Sequence, residues 1–405
     1  MTKRNFLLKA LSLTVSAALS ASICLFAACD GTTSSGSGNS GGKDNVPETE
    51  KIQDLSDDRY INLYGRNFYS ENLEGTAFVN SASGFELKFR GTSVFASVCK
   101  IGSRDSMWSV FVDGETDSNA RILTFKDTKG MFLKKTLIEG LSDGEHTIKV
   151  LKRTPSNFDR IFVNEISSDG VILAAPEKPA LNIAFYGDSI TCGEGVLREY
   201  IPSDSRIYTA ATQNALQSYS AYCAKELGAS FEIFGRGGIT LKFRNESTEQ
   251  FSVLNNFKSY AVDLSIENGD CPEYDFSSVP DAVVVYLGTN DYLRAQKYVT
   301  GYSLAGMQAA YIEFIDKAVG AYYGTDIPIV LCSGLMVHNS GLSGAVKGAA
   351  DSLRPKYPYI ASVDFEAGVT ESVGGHPVVE DSEKAGKVLA DTLKTLFENS
   401  GRLLD

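Results

Sequence analysis

A serine and a histidine in this chain are placed to carry out acyl transfer. Ser189 lies in the stretch Phe-Tyr-Gly-Asp-Ser-Ile-Thr-Cys-Gly, where an apolar run gives way to a glycine that permits a tight turn. A serine hydroxyl becomes a nucleophile when a base removes its proton. His376, which is followed by Pro377, could take that proton and return it to the leaving alcohol. We therefore predict Ser189 as the nucleophile and His376 as the general base.

Acyl transfer also needs hydrogen-bond donors that stabilise the negative oxygen of the tetrahedral intermediate. The chain offers the backbone N–H of Ser189, the backbone N–H of Gly238 in Gly-Arg-Gly-Gly-Ile-Thr, and the side-chain amide of Asn290 in Gly-Thr-Asn-Asp. Glycine at the second position allows the backbone to approach the substrate closely. These three residues are the predicted oxyanion hole, with Gly237 as the alternative donor.

Strands alternate with helices in the segment that carries these motifs, residues 180–400. Apolar runs predict strands at 182–186, 230–234, 282–287, 327–332 and 359–363, and helical periodicity predicts helices at 217–227, 303–322, 344–353 and 382–397. This alternation favours a parallel sheet between two helix layers, with functional sites at the carboxyl ends of the strands. The first three motifs directly follow predicted strands, and the histidine precedes the last helix.

The preceding segment, residues 58–176, has a period of two. Alternating runs at 85–89, 108–112 and 147–151, with frequent Asp-Gly and Ser-Gly turns, predict an antiparallel β-sandwich. We expect Trp108 to pack in its core and His146 to be a structural strand residue.

The N-terminus is predicted to be a targeting signal. Basic Lys3 and Arg4 precede an apolar stretch that ends in Phe-Ala-Ala-Cys, and small residues before a cysteine resemble the lipobox of bacterial lipoproteins. This resemblance implies that residues 1–28 are a signal peptide removed before Cys29, and that Cys29 carries lipid. Residues 29–57 then form a flexible Gly/Ser-rich linker, and the protein is extracytoplasmic and anchored to the cell membrane.

Charge and cysteine content exclude several classes of function. The formal net charge is −12, which disfavours nucleic acid as a partner and fits a neutral substrate such as a sugar or simple ester. Five cysteines remain after Cys29, so at least one thiol is free within a single chain. The three histidines are far apart in the sequence, and no CxxC pair is present. We expect neither a metal nor a cofactor.

These motifs, in this order, resemble the SGNH/GDSL hydrolase superfamily. The sandwich with Gly-Glu-His-Thr-Ile-Lys-Val at 144–150, followed by Gly-Asp-Ser-Ile-Thr-Cys-Gly, is similar to carbohydrate esterase family 2. That family joins a jelly-roll domain to a flavodoxin-like α/β/α hydrolase domain and deacetylates plant polysaccharides. The resemblance implies Ser189 and His376 as catalytic residues, and Ser189, Gly238 and Asn290 as the oxyanion hole.

One position departs from the superfamily pattern. The aspartate usually found two or three residues before the histidine is replaced by Gly374 and Val373. Glu371 or Asp364 could orient His376, but we expect a Ser-His dyad in which a backbone carbonyl holds the imidazole, as in some members of family 2. His338, just after the fourth strand, is the alternative base, and we interpret it as a surface residue.

The expected function is a serine esterase that removes O-acetyl groups from carbohydrates such as xylan or mannan. A lipase or lysophospholipase of the GDSL type is the first alternative. A non-catalytic carbohydrate-binding surface lipoprotein, with a site decayed through loss of the acid, is the second.

Overall fold

A computed structural model describes residues 46–197, 209–243, 252–298, 301–368 and 375–402. The predicted signal peptide and Cys29 lie outside the described residues. Within these ranges the N-terminal part of the chain forms eleven strands, all in antiparallel pairs. They are β1 (Thr49–Ile52), β2 (Ile61–Tyr64), β3 (Asn67–Ser70), β4 (Gly75–Phe78), β5 (Gly84–Gly91), β6 (Val94–Ile101), β7 (Ser106–Val112), β8 (Arg121–Phe125), β9 (Leu133–Ile138), β10 (Gly144–Lys152) and β11 (Arg160–Ile172).

Strand β11 joins the two layers of this sandwich. Over most of its 13 residues it pairs with β6, and its last two residues, Val171 and Ile172, pair with β5. Strands that pass from one layer to the other close the ends of such sandwiches. The core between the layers is apolar, and Trp108 packs edge-on against Phe78 and Phe125. The predicted sandwich and the packing role of Trp108 are confirmed.

The sandwich begins earlier than the sequence suggests. Strand β1 pairs with β11 and lies inside the range 29–57 that was predicted as a flexible linker. Its sequence, Thr-Glu-Lys-Ile, is too short and too polar to show alternation, and only Ile52 is buried in the core. Pairing with the long strand β11, rather than local propensity, therefore makes this segment a strand.

The second half of the folded chain is an α/β domain with a parallel five-stranded sheet. Its strands are β12 (Asn182–Gly187), β13 (Ser230–Gly235), β14 (Ala282–Tyr286), β15 (Ile329–Leu335) and β16 (Ile360–Ala367). They lie side by side in the order β13-β12-β14-β15-β16, and the registered pairs are parallel. In this flavodoxin-like order the strand sequence reverses direction between β12 and β14, which is where ligands bind in open α/β sheets. The predicted fold class is confirmed.

Helices cover both faces of the sheet. They are α1 (Tyr219–Glu226), α2 (Val253–Asn256), α3 (Thr289–Tyr298), α4 (Leu304–Phe314), α5 (Gly320–Tyr323), α6 (Ser340–Leu353) and α7 (Val379–Ser400), with a π-helical turn at Ile315–Val319 between α4 and α5. Successive strand residues point to opposite faces. In β14, for example, Val283 and Val285 pack with α4 and α6, whereas Val284 and Tyr286 pack with α1 and α7.

Arg66 in the β2–β3 turn anchors the sandwich to the α/β domain. Its guanidinium is buried and donates hydrogen bonds to the carbonyls of Phe257 and Ser259, at 2.9 and 3.1 Å. It also donates to the hydroxyl of Tyr186 at 2.5 Å and lies 3.9 Å from the Glu232 carboxylate. Aromatic rings surround it, among them Phe234, Tyr274 and Phe276. Both domains belong to one compact unit.

Two features of the α/β domain bear on the site. Helix α3, which carries Asn290, was not predicted, because Thr-Asn-Asp is typical of loops and caps. Helix α6 begins four residues before its predicted start because the Asn339 side chain accepts hydrogen bonds from Gly341 and Leu342. None of the helices within the described ranges is long and apolar enough to cross a bilayer. The five cysteines after Cys29 are all buried free thiols.

Candidate active site

The structure brings the predicted nucleophile and base into contact. Ser189 Oγ lies 2.7 Å from His376 Nε2, although the two residues are 187 positions apart in the chain. Both are 7% exposed. With an unprotonated Nε2, the serine hydroxyl donates to the imidazole, which is the arrangement that a general base requires.

The turn after β12 holds Ser189 at the sheet edge. A Cβ atom on Gly187 would lie 1.9 Å from Thr191 Oγ1, so only glycine allows the chain to fold back this closely. The Asp188 carboxylate accepts a hydrogen bond from the Ile190 N–H at 3.0 Å, and the Asp188 carbonyl accepts one from the Cys192 N–H at 3.1 Å. The turn is thus fixed by its own backbone and by the Asp188 carboxylate.

Two predicted oxyanion donors lie beside this turn. The backbone N–H of Ser189 makes no hydrogen bond within the described part of the chain and is available to a substrate oxygen. The side-chain nitrogen of Asn290, in the first turn of α3, donates to Asp188 Oδ2 at 3.1 Å. An amide nitrogen carries two hydrogens, so one remains for an oxyanion. Asp188 therefore orients the amide through the other.

The loop after β13 distinguishes between the two candidate glycines. The Glu194 carboxyl group lies against Gly237, where a Cβ would be 2.3 Å from Glu194 Oε1. Gly238 follows with a φ of 74°, a left-handed conformation that favours glycine. Gly237 thus faces a carboxyl group, and Gly238 stays the predicted oxyanion donor.

Asp291 ties this glycine loop to α3. Its two carboxylate oxygens accept hydrogen bonds from the backbone N–H groups of Leu241, Lys242 and Phe243, at 2.8, 2.9 and 2.6 Å. Asp291 is fully buried, and desolvation raises its pKa against the effect of these three donors. The residue next to Asn290 thus fixes the loop that carries Gly238.

Two further carboxyl groups beneath the site have raised pKa values. Burial raises the pKa of Asp188 to about 7, and repulsion from Glu194 and Asp291 adds to the increase. Burial likewise raises the pKa of Glu194 to about 7, while attraction to Arg104 and Arg236 acts in the opposite direction. Burial thus disfavours the charged forms of both carboxyl groups beneath the site.

The remaining candidates lie as follows. His338 is exposed after β15, consistent with a surface residue. Asp364 is exposed on β16, accepts a hydrogen bond from Ser333 Oγ at 2.7 Å, and lines a separate cavity of about 310 Å³. Cys192 is fully buried, and desolvation raises the pKa of its thiol well above the usual value, so it packs rather than reacts. Glu371, Val373 and Gly374 lie outside the described residues.

Sequence analysis did not identify two charged residues at this site. Glu194 faces Gly237, and its own N–H donates to the carbonyl of Ser189 at 2.9 Å. Arg294 lies four residues after Asn290 on α3, with a guanidinium nitrogen 2.7 Å from the Cβ position of Gly238. Glu194, five residues after the nucleophile, could have been noticed. The placement of Arg294 requires helix α3, which the sequence did not predict.

Comparison with known families matches both halves of the folded chain. Residues 64–176 match the family "Carbohydrate esterase 2 N-terminal", and residues 183–342 match the family "GDSL-like Lipase/Acylhydrolase". The first range covers most of the sandwich. The second contains Ser189, Gly238 and Asn290, whereas His376 lies beyond its end.

Two curated proteins are similar to parts of this chain. One is cellulase/esterase CelE of Acetivibrio thermocellus, 29% identical over 289 residues, which are 69% of this chain and 32% of that protein. The other is an acetylxylan esterase / glucomannan deacetylase of Cellvibrio japonicus, 27% identical over 154 residues, which are 37% of this chain and 41% of that protein. The chain thus spans well under half the length of each relative.

A solved structure shares the whole two-domain fold. It is a family two carbohydrate esterase from Clostridium thermocellum, in complex with cellohexaose, with a TM-score of 0.71 at 24% sequence identity. The match covers 85% of this chain and 100% of that one. The chain thus has a jelly-roll sandwich followed by a hydrolase domain, and each of the two domains is matched by its own family. The chain is similar to the SGNH/GDSL hydrolases and has the two-domain architecture of the family 2 carbohydrate esterases.

Proposed function

We propose that this protein is a serine esterase that removes O-acetyl groups from carbohydrates. The 2.7 Å contact between Ser189 Oγ and His376 Nε2, beside the donors Ser189 N–H and Asn290, carries the proposal. The activities of the two similar curated proteins, an acetylxylan esterase / glucomannan deacetylase and a cellulase/esterase, support a carbohydrate substrate. Acetylated xylan or mannan, or their oligosaccharides, are the substrates we propose.

In the proposed reaction Ser189 Oγ attacks the acetyl carbon while its proton passes to His376 Nε2. The carbonyl electron pair moves onto oxygen, where the N–H groups of Ser189 and Gly238 and the Asn290 amide stabilise it. When the intermediate collapses, the sugar oxygen leaves with the proton from His376, and Ser189 remains acetylated. Water then attacks the acyl group with His376 again as base, and acetate is released.

We further propose that His376 works as a dyad with Ser189, its imidazole held by a backbone carbonyl. Asp364, one of the two candidate acids, already accepts a hydrogen bond from Ser333. In an enzyme that depends on a catalytic triad, removing the acidic side chain lowers kcat by orders of magnitude. We expect Asp364→Ala and Glu371→Ala each to lower kcat by less than about tenfold. A loss of a thousandfold in a folded variant would identify the missing third member of a triad.

The esterase proposal is tested with 4-nitrophenyl esters from acetyl to octanoyl, using the full-length protein and a Ser189→Ala control. We expect turnover of the acetyl ester that falls with chain length and drops by at least about 10³ in the variant. Release of acetate from acetylated xylan and mannan then distinguishes the polysaccharides.

Two outcomes would favour other functions. A preference for long acyl chains would favour the lipase or lysophospholipase alternative. Absence of turnover, with cellohexaose binding that survives Ser189→Ala, would favour a non-catalytic carbohydrate-binding protein.

We also propose that the protein is anchored to the outer side of the cell membrane through lipid on Cys29. The sequence Phe-Ala-Ala-Cys and the basic residues at its N-terminus support this location. Expression in a bacterial host with labelled fatty acid should label the wild type and leave Cys29→Ala unlabelled. Equal labelling, or equal release from washed membranes, would reject the anchor.

A further inference from the structure

Arg294 is a partly buried arginine at the candidate active site. The guanidinium of Arg66 is bonded to carbonyls and lies near Glu232, and Arg236 Nε lies 3.0 Å from Asp263. Arg294 is also partly buried, but it makes no hydrogen bond and no ion pair with any part of the chain that the structure describes. An arginine has five N–H donors, and the described part of the fold uses none of those of Arg294. These donors are therefore available to a ligand.

Arg294 lies beside the loop that carries Gly238, the predicted oxyanion donor. Arg294 is one helical turn after Asn290 on α3, so the two side chains share a helix face. Its Nη2 atom lies 2.7 Å from the point where a Cβ on Gly238 would stand. A side chain at position 238 would therefore displace the guanidinium. The absence of a side chain at Gly238 therefore allows the backbone to approach the substrate closely and also leaves room for the Arg294 guanidinium.

The charged groups around the site indicate which negative group the Arg294 guanidinium can stabilise. Asp188, Glu194 and Asp291 are buried carboxyl groups close to the glycine and nucleophile loops, and none forms an ion pair with Arg294 in the described structure. The reaction itself creates one negative oxygen next to Gly238, on the carbonyl under attack. A fixed positive charge a few ångströms away stabilises that oxygen more than it stabilises the neutral ester.

We propose that Arg294 stabilises the negative charge that forms on the ester carbonyl oxygen, as a cationic addition to the donors of Ser189, Gly238 and Asn290. This inference rests on the proposed esterase function. When the bond from Ser189 Oγ to the acyl carbon forms, the carbonyl electron pair moves to oxygen and the serine proton to His376. Arg294 stays protonated throughout and contributes its charge alone.

The test compares Arg294→Met, Arg294→Lys and wild type on a neutral aryl acetate, with the full-length protein. We expect Arg294→Met to lower kcat by about 10–100-fold with KM changed less than about threefold, because charge stabilisation acts on the transition state. Arg294→Lys keeps a positive charge and should therefore lose less activity than Arg294→Met. Arg354→Met is the matched control, since Arg354 lies at the exposed end of α6, where it pairs with Asp351.

A second measurement separates charge from packing. Methylboronic acid adds to a serine hydroxyl as a tetrahedral anion, so its inhibition constant should rise in Arg294→Met by about the same factor as kcat falls. If Arg294→Met does not fold, Arg294→Gln takes its place with the same expectations.

Three results would overturn the inference while leaving the esterase intact. They are a kcat of Arg294→Met within threefold of wild type, equal losses in the Met and Lys variants, or an unchanged boronate inhibition constant. Absence of turnover in the wild type would instead reject the proposed esterase function and this role with it.

Discussion

The carboxylate of Asp188 accepts a hydrogen bond from Asn290 Nδ2 at 3.1 Å and so links the nucleophile turn to the first turn of α3. Its other oxygen accepts from the Ile190 N–H at 3.0 Å. The residue that precedes the nucleophile thus holds both the shape of the turn and the direction of a predicted oxyanion donor.

Replacing Asp188 with asparagine should therefore lower kcat by about 10–100-fold, with little change in KM. An asparagine side chain offers one acceptor oxygen where two donors now bind, so its own NH2 would face a donor. Steady-state kinetics on an aryl acetate measures the effect. Asp281→Asn is the matched control, because Asp281 accepts a backbone hydrogen bond from Asn182 at the opposite edge of the sheet. Equal kinetics in the two variants would contradict an orienting role for Asp188.

Glu194 should position the glycine loop through Gly237. We expect Glu194→Ala to lower kcat by roughly tenfold, because the Gly237 N–H loses the carboxyl group it faces. Glu194→Gln should retain most of the activity, since its amide oxygen can still face that N–H. The comparison is made by steady-state kinetics at pH 6 and pH 8. If Gln and Ala reduced kcat equally, the charge of Glu194 rather than its position would be what matters.

Arg66 should contribute strongly to stability. Removing one partner of a buried ion pair leaves the other uncompensated and costs about 3–5 kcal/mol. We expect Arg66→Met to lower the free energy of unfolding by that amount, as measured by urea denaturation. Arg59→Met is the control, because Arg59 is exposed and pairs with Asp57 at the surface. A double variant with Glu232→Leu should lose less than the sum of the single changes. Additive losses would show that the 3.9 Å contact between Arg66 and Glu232 is not energetically coupled.

His146 should make the sandwich more stable at acidic pH. Its hydrogen bond to Asp113, with a second contact to the Ser142 carbonyl, raises the pKa of His146 above its usual value of about 6.5. The stabilisation is therefore complete below the unfolded-state pKa and is lost as the pH rises through the folded-state pKa. We expect His146→Gln to lower the melting temperature more at pH 5.5 than at pH 8.5, by about 1–3 °C. Asp113→Asn should show the same trend, whereas a difference independent of pH would contradict this account.

The positions of the predicted reacting groups follow from the topology of the sheet. Ser189, Gly238 and Asn290 each follow a predicted parallel strand, and the carboxyl ends of such strands meet at one edge. The structure adds the 2.7 Å contact between Ser189 and His376, which no local pattern encodes. The order of the five strands follows the same logic, since apolar runs alternating with helices leave few alternatives.

Features that depend on distant contacts could not be predicted. Strand β11 contains Ser-Ser-Asp-Gly, which is typical of a turn, yet Asp169 accepts hydrogen bonds from the backbone of Thr92 and Ser93 and the strand continues. Arg66 resembles any surface arginine in a turn until residues more than a hundred positions away enclose it. Arg294 lies next to Gly238 only because α3 packs against the loop that carries this glycine.

The cage around Arg66 also sets an order for folding. The sandwich is complete once β11 has been synthesised, but the cage needs Tyr186, Phe257 and Tyr323, which are made later. Synthesis proceeds from the N-terminus, so the Arg66 side chain stays exposed to water until the second domain has formed. We expect docking of the two domains to be the last step of folding, slowed in Arg66→Met, and stopped-flow refolding would measure it. An N-terminal domain released alone would display on its surface the charged residue that the finished protein hides.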